Sequence, residues 1–450
     1  MRRCILVALD WTRPKDPPLS LGHASILASL RAERLPVHPL SFSANSPRTK
    51  AENIATEILN AIGKEDASRT VVALGAYVWA ENLVQKITEY LRDAGFLGDI
   101  VIGGPQVSYC PKGVLDDLYP HASVFIRGYA ERALGDVLRV LPPRFKTNLV
   151  GMSGVKTAGI HVRGTSDTGT HGQVDLASLP SPFLRNVVRP QRFIRWETQR
   201  GCPFSCTFCQ HREPNSSMKR RHFDESRIVR EADWLARNHV TDVAVLDPTF
   251  NAGKRYIGIL ERLLANGFVG KLSLQCRFEM VKPEFLDVLR RLRRVGVDVL
   301  PEFGLQTINR DEELVIGRRN NINRVDDVMR ALNADGIPYE ISLIYGLPLQ
   351  TVDSFRRSVN FCLERRVPVL RAFPLMLLRG TPLESKRDAF RLVESVEAPF
   401  PGTDDGSRIL TGGIPHVVSS STFSVNEWRE MAEISALLDH TQGRHPTKID

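Results

Sequence analysis

The strongest restriction on the fold is an alternation of strand and helix that runs twice through the chain, first up to residue 141 and again from residue 193. In the second run, apolar stretches at 193–198, 242–246, 271–277, 297–305, 339–345 and 369–375 read as strands. Helical patterns cover 224–238, 253–266, 324–334 and 351–365, and one begins at Pro283, with Phe285, Val288, Leu289 and Leu292 on one face. Strands that alternate with helices pair in parallel. Six such units are too few to close an eight-stranded barrel, and active sites of such folds lie at the carboxyl ends of the strands.

The first run places strands at 3–9, 35–41, 70–75, 99–102 and 122–127, with helices at 21–34, 49–63 and 79–95. This reads as a doubly wound α/β parallel sheet, whose ligands bind at strand carboxyl ends; Gly103-Gly104-Pro105 follows one such end. The intervening segment is dense in Gly and Thr and is broken by Leu179-Pro180-Ser181-Pro182-Phe183, so a connector with a weak hairpin is expected. The expected division is a Rossmann-like domain at 1–141, a linker at 142–192, a partial barrel at 193–380 and a C-terminal extension at 381–450 with a helix near 425–438.

Of the seven cysteines, Cys202, Cys206 and Cys209 stand at C-x3-C-x2-C spacing. A compact loop can turn three sulfurs to one point, and thiolates ligate iron–sulfur clusters. Three ligands on a four-iron cubane leave one iron open to a substrate. A structural zinc, with His211 as fourth ligand, is the competing reading. Cys4, Cys110, Cys276 and Cys362 are scattered, which argues against a disulfide framework and for a cytoplasmic, reducing setting. No apolar run is long enough for a membrane span, and Met1-Arg2-Arg3-Cys4 leads straight into a strand rather than a signal peptide. The formal charge of +9 is carried by dispersed residues, with short clusters at Lys219-Arg220-Arg221 and from Arg290 to Arg294. Without a basic tail, this argues against nucleic acid and for a small polar or anionic ligand.

Cys202-x3-Cys206-Thr207-Phe208-Cys209 resembles the signature of radical S-adenosylmethionine (SAM) enzymes. The resemblance implies a partial (βα)6 barrel, a [4Fe–4S] cluster on the three cysteines, and SAM chelated to the open iron. It also implies reductive cleavage of SAM to a 5′-deoxyadenosyl radical, with electrons from a partner such as flavodoxin or ferredoxin. The first domain resembles the cobalamin-binding domain of one branch, through Pro18 to Ala24, Gly103-Gly104-Pro105 and Gly128-Tyr129-Ala130-Glu131. Two usual handles are missing: Asp10-Trp11-Thr12 lacks the histidine of the base-on motif, and Gly75 replaces a serine. Cobalamin is therefore left open, against a domain kept only as a docking surface. Pro374 to Leu383 and His416 to Ser424 resemble post-barrel segments of the same branch.

Carried over residue by residue, the resemblance places Phe208 by the adenine, Gln306 and Arg318 on SAM, Asp247 and Thr249 where the amino group binds, and Ser342 where relatives often carry Asp. Arg277 and Glu302 are ionisable residues at expected strand ends, for which a site role is preferred to a structural ion pair. Glu213, four residues past the last cysteine, is the candidate acid or base. The leading expectation is radical dehydration or epimerisation of an aminosugar or antibiotic precursor, most like the radical SAM dehydratases of aminoglycoside biosynthesis. The alternative is cobalamin-dependent C-methyl transfer. A tRNA-modifying methylthiotransferase would need a second cysteine trio, and a non-catalytic iron–sulfur module would cleave no SAM.

Overall fold

The computed structural model describes residues 2–63, 67–140, 157–211, 220–396 and 414–449. The chain divides into two compact units, residues 1–189 and 190–450.

Among the described residues, the first unit is built on β1 (Arg3–Asp10), β2 (Val37–Ser43), β3 (Thr70–Gly75), β4 (Asp99–Gly103), β5 (Val124–Ile126) and β6 (Ile160–Val162). They form one sheet in the order β2-β1-β3-β4-β5-β6, parallel except for the β5–β6 pair. Successive side chains on a strand point to opposite faces. Ile5, Val7 and Leu9 therefore join Ile54, Ile58, Val84 and Ile87 in one core. Cys4 and Leu6 join Leu27, Leu30, Leu134 and Val137 in the other. Burial on both faces explains why β1 reads as a continuous apolar run rather than an alternation.

Strand β6 comes from the stretch expected as connector. Gly159, at φ +90°, lies where an added Cβ would stand 2.3 Å from the amide nitrogen of Gly172, so only glycine fits this crossing. Arg127, 2% exposed, donates to the carbonyls of Val107 (2.9 Å) and Cys110 (2.6 Å) and pairs with Asp167 at 2.5 Å. These contacts tie residues 159–172 to the first unit.

The second unit contains β7 (Phe193–Trp196), a short antiparallel pair β8 (Gln199–Arg200) and β9 (Arg221–His222), then β10 (Asp242–Val245), β11 (Lys271–Cys276), β12 (Asp298–Gln306), β13 (Glu340–Tyr345) and β14 (Val369–Pro374). Six of these form an all-parallel sheet in the order β14-β13-β12-β11-β10-β7, with β7 and β14 as its two edges. This is the partial barrel expected from the βα count. Val299, Phe303, Leu305, Ile341, Leu343 and Tyr345 are buried, whereas the alternate residues Glu302, Gly304, Gln306, Glu340 and Ser342 are half-buried on the other face. The C-terminal part adds β15 (Val393–Ser395) paired with β16 (His416–Ser419). Its final helix, Val425–His440, opens with a Ser424–Glu427 capping box. Trp428 of this helix packs on Tyr345, ring centroids 5.7 Å apart. Among the described residues, no helix is long and apolar enough to cross a membrane.

Candidate active site

The cysteine loop leaves the carboxyl end of β7 and is clamped at both of its ends. At the first, Asp247, with no exposed surface, accepts the N–H groups of Thr198 (2.8 Å) and Gln199 (3.2 Å) and the Thr198 hydroxyl (2.5 Å). Gln199 returns a side-chain hydrogen bond to the Thr249 carbonyl at 3.0 Å. Burial pushes the Asp247 carboxyl up to about 7, outweighing the three donors that favour its charge. At the far end, Thr207 donates its N–H to Ile316 O (2.8 Å) and its hydroxyl to Val315 O (3.0 Å). Gly317, at φ +63°, allows this approach, since a Cβ there would stand 3.0 Å from Ser205 O.

The three thiols lie within electrostatic reach of one another and of Arg318. Each has a hydrogen-bonding neighbour of a different kind: the Thr249 hydroxyl 3.6 Å from Cys202 Sγ, an Arg318 Nη1 3.7 Å from Cys206 Sγ, and the His211 N–H 3.4 Å from Cys209 Sγ. Burial, with the neighbouring thiols adding to it, pushes Cys209 up to about 11. A thiol buried in this way is hard to ionise unaided, and a bound cation cluster supplies the missing positive charge. Among the described residues, no group of three or more His, Cys, Asp or Glu side chains converges on a single metal ion. A cubane is held differently, each thiolate on its own iron. The donor set thus fits a [4Fe–4S] cluster.

Beside the thiols, the end of β12 holds two unsatisfied polar atoms. Gln306 sits at φ +71°, strained for a side-chain-bearing residue, and its Oε1 is buried without a partner. Arg318 donates Nη2 to Gly304 O and Nη1 to Cys206, while its Nε is buried and unpaired. A free acceptor and a free cationic donor next to one another suit the amine and carboxylate of an amino acid.

Other expected residues stand differently. Asp247 has both oxygens engaged by Thr198 and Gln199, so its contacts within the protein hold the start of the loop. Arg277, 7% exposed, pairs with Glu279 at 3.2 Å and stacks 3.7 Å over the Phe204 ring, so the ion pair is real and props the cysteine loop. Glu302 is not at a strand end: it lies four residues before Gln306, in register with Gln275 and Glu340, roughly 13 Å down the strand at the usual rise. Ser342 is half-buried in register with Gly304 and Arg371. Phe208 is half-buried in the loop, and Glu213 lies outside the described residues. Sequence reading missed Gln199, and also Asn251, which brackets Arg277 by accepting its N–H (2.9 Å) and donating to its carbonyl (2.8 Å). Short polar residues after a strand carried no motif that would have singled these out.

Residues 196–362 match the Radical SAM superfamily. This stretch of the second unit is a radical SAM domain. It is 28% identical over 333 residues to the cobalamin-dependent radical SAM methyltransferase TokK of Streptomyces tokunonensis, covering 70% of this chain and 48% of that protein. It is 26% identical over 396 residues to the 2-(S-pantetheinyl)-carbapenam-3-carboxylate methyltransferase of Streptantibioticus cattleyicolor, covering 80% and 54%. The chain thus spans about half the length of these curated relatives. The structure of the Kitasatospora setae radical SAM methyltransferase TsrM with cobalamin and a [4Fe–4S] cluster superposes with TM-score 0.69 at 16% identity, over 99% of this chain and 93% of that one. The enzyme OxsB with aqua-cobalamin and SAM gives TM-score 0.66 at 14% identity, over 98% and 67%. These two likenesses establish the α/β fold of both units.

In the first unit, outside the radical SAM match, the strand order reverses between β1 and β3, the usual place for a ligand crevice. β1 ends there in Asp10, which accepts the Ser20 N–H at 3.1 Å, while the neighbouring ends of β3 and β4 carry Gly75 and Gly103 in register. Tyr77 and Trp79 stack with centroids 4.7 Å apart, and Trp79 donates to Leu9 O at 3.1 Å. Glycine-bare ends beside a satisfied aromatic pair fit the flat, largely apolar ring of a corrin. An axial imidazole does not come from His23, whose Nε2 lies 3.3 Å from Leu6 O and which burial pushes down to about 4.

Proposed function

We propose that this chain is a cobalamin-dependent radical SAM methyltransferase acting on a small polar precursor of natural-product type. What carries the reading is that two curated methyltransferases match 70% and 80% of the chain, through both units. Methyl transfer, the alternative from the sequence, thereby displaces dehydration as the leading reading. In this reading Cys202, Cys206 and Cys209 hold the cluster, and Arg318 and Gln306 take the carboxylate and amine of SAM. Phe208 packs by the adenine, and the crevice at the β1 and β3 ends takes the corrin. Bound together, the cluster supplies one-electron cleavage of SAM, and cobalamin a methyl carrier for a carbon no base can activate. The protein's own work is to hold the substrate carbon near the SAM 5′-carbon and to keep the cysteine loop rigid through Asp247 and Arg277. An acidic one-electron donor such as flavodoxin or ferredoxin has access beside Ser205, where a recess of about 500 Å³ is lined by Phe204, Leu314 and Arg319.

The test is anaerobic reconstitution with iron and sulfide, with and without hydroxocobalamin, followed by SAM and reductant. Mass-detected chromatography follows 5′-deoxyadenosine and S-adenosylhomocysteine. S-Adenosylhomocysteine that depends on added cobalamin is the expected result. Deoxyadenosine that forms equally well without cobalamin, and with no S-adenosylhomocysteine, would return the reading to dehydration.

A further inference from the structure

Thr249 stands in a position that the superfamily resemblance gives to the SAM amino group, yet its surroundings say otherwise. It is 3% exposed, its hydroxyl is 2.8 Å from Pro248 O and 3.6 Å from Cys202 Sγ, and its carbonyl is taken by Gln199. Gln199 in turn is held by Asp247 through its own N–H. A continuous run of hydrogen bonds therefore leads from a buried carboxylate to one cysteine sulfur. A cluster-bound thiolate has no proton to give, so at Cys202 the hydroxyl must be the donor, turning its proton from the Pro248 carbonyl to the sulfur.

Hydrogen bonds to cluster sulfurs help set reduction potential. They favour the state with more electron density on sulfur, the reduced one. Cys206 has a charged donor and Cys209 a backbone donor, and neither can be removed without disturbing SAM contacts or the loop. Cys202 has a donor that one isosteric change removes. We infer that Thr249 is a positioning residue for the cluster, whose hydroxyl raises its reduction potential through Cys202, and not a SAM contact. This rests on the cluster reading above.

The experiment compares reconstituted wild type, Thr249→Val and Thr249→Ser by redox titration followed with electron paramagnetic resonance, with iron content and SAM affinity measured on the same samples. Removing the hydroxyl should lower the equilibrium constant for reduction about tenfold, about 59 mV for one electron. Thr249→Ser should keep the wild-type potential, and SAM affinity should stay within about twofold in both. If Thr249→Val instead weakens SAM with an unmoved potential, or moves neither, the inference is overturned. Loss of iron in Thr249→Val but not in Thr249→Ser supports the hydroxyl's hold on the loop; equal loss in both overturns it. A wild-type protein with no reducible cluster signal would instead sink the cluster reading itself.

Discussion

The two units present their strand carboxyl ends in opposite chemical conditions. In the barrel, the end of β12 keeps a buried acceptor at Gln306 and, beside it, a buried cationic donor at Arg318 without partners, next to three thiols of which Cys209 is made hard to ionise by burial. In the first unit, the Trp79 indole already bonds Leu9 O and His23 is turned to Leu6 O. Unsatisfied buried polar atoms cost stability unless a ligand completes them. One site is thus incomplete without its ligand and selects it by charge and hydrogen bonds. The other has its indole and imidazole already engaged, so shape and apolar contact weigh more there. Affinity should accordingly be brittle in the barrel and forgiving in the first unit.

The hardest blow to this contrast comes from the thiols. Cys206→Ala should abolish iron retention after reconstitution and SAM cleavage with it, a loss of about 1,000-fold or more, read by iron analysis and deoxyadenosine yield; cleavage that survives would dissolve the barrel side of the comparison. Next in size, Arg318→Ala removes a charge-assisted contact worth about 1.5–3 kcal/mol. Calorimetric titration of the reconstituted protein should show SAM binding at least about tenfold weaker.

A smaller effect tests the loop's anchorage. The Asp247 carboxyl is raised from 3.8 to about 7 in the fold. The stability it contributes is therefore fully present below about pH 4 and is lost as pH rises through about 7. Asp247→Asn keeps an acceptor for the two N–H groups but cannot titrate. Melting temperatures of the two proteins should diverge between pH 5 and 8, wild type losing ground at the alkaline end; parallel profiles would mean that the carboxyl is ionised throughout. Smallest of all, His23→Ala should leave the absorption spectrum and retention of added cobalamin unchanged. A spectral shift would show that the first unit does offer an imidazole.

Much of the fold was legible in the sequence because its signals are local. The apolar run of β1, the one-faced helix after Pro283 and the C-x3-C-x2-C spacing each follow from covalent neighbours. The same holds for the end of the polar face at Gln306, where the strand gives out. Other features hid because they need partners distant in sequence. Residues 160–162 carry too little pattern to declare a strand, and become one only through the β5 edge and the Gly159–Gly172 crossing. Glu302 is expected at a strand end although the expected strand, 297–305, already runs past it; β12 does the same and leaves Glu302 half-buried on the polar face.

The sequence alone thus determined the main alternating strands and helices, that six strands make an open parallel sheet, and which three sulfurs gather on one loop. Only the tertiary structure decided what the charged residues around that loop do. Asp247, Arg277 and Arg318 are alike in sequence, ionisable groups beyond strands. Three-dimensional neighbours gave the first to the backbone of Thr198 and Gln199, and the second to Glu279 and Phe204. They left the Nε of the third without a partner. The role of a buried charge is set by what fills its hydrogen-bonding positions, and sequence spacing does not show which partners those are: they range from Glu279, two residues from Arg277, to Thr198, 49 residues from Asp247.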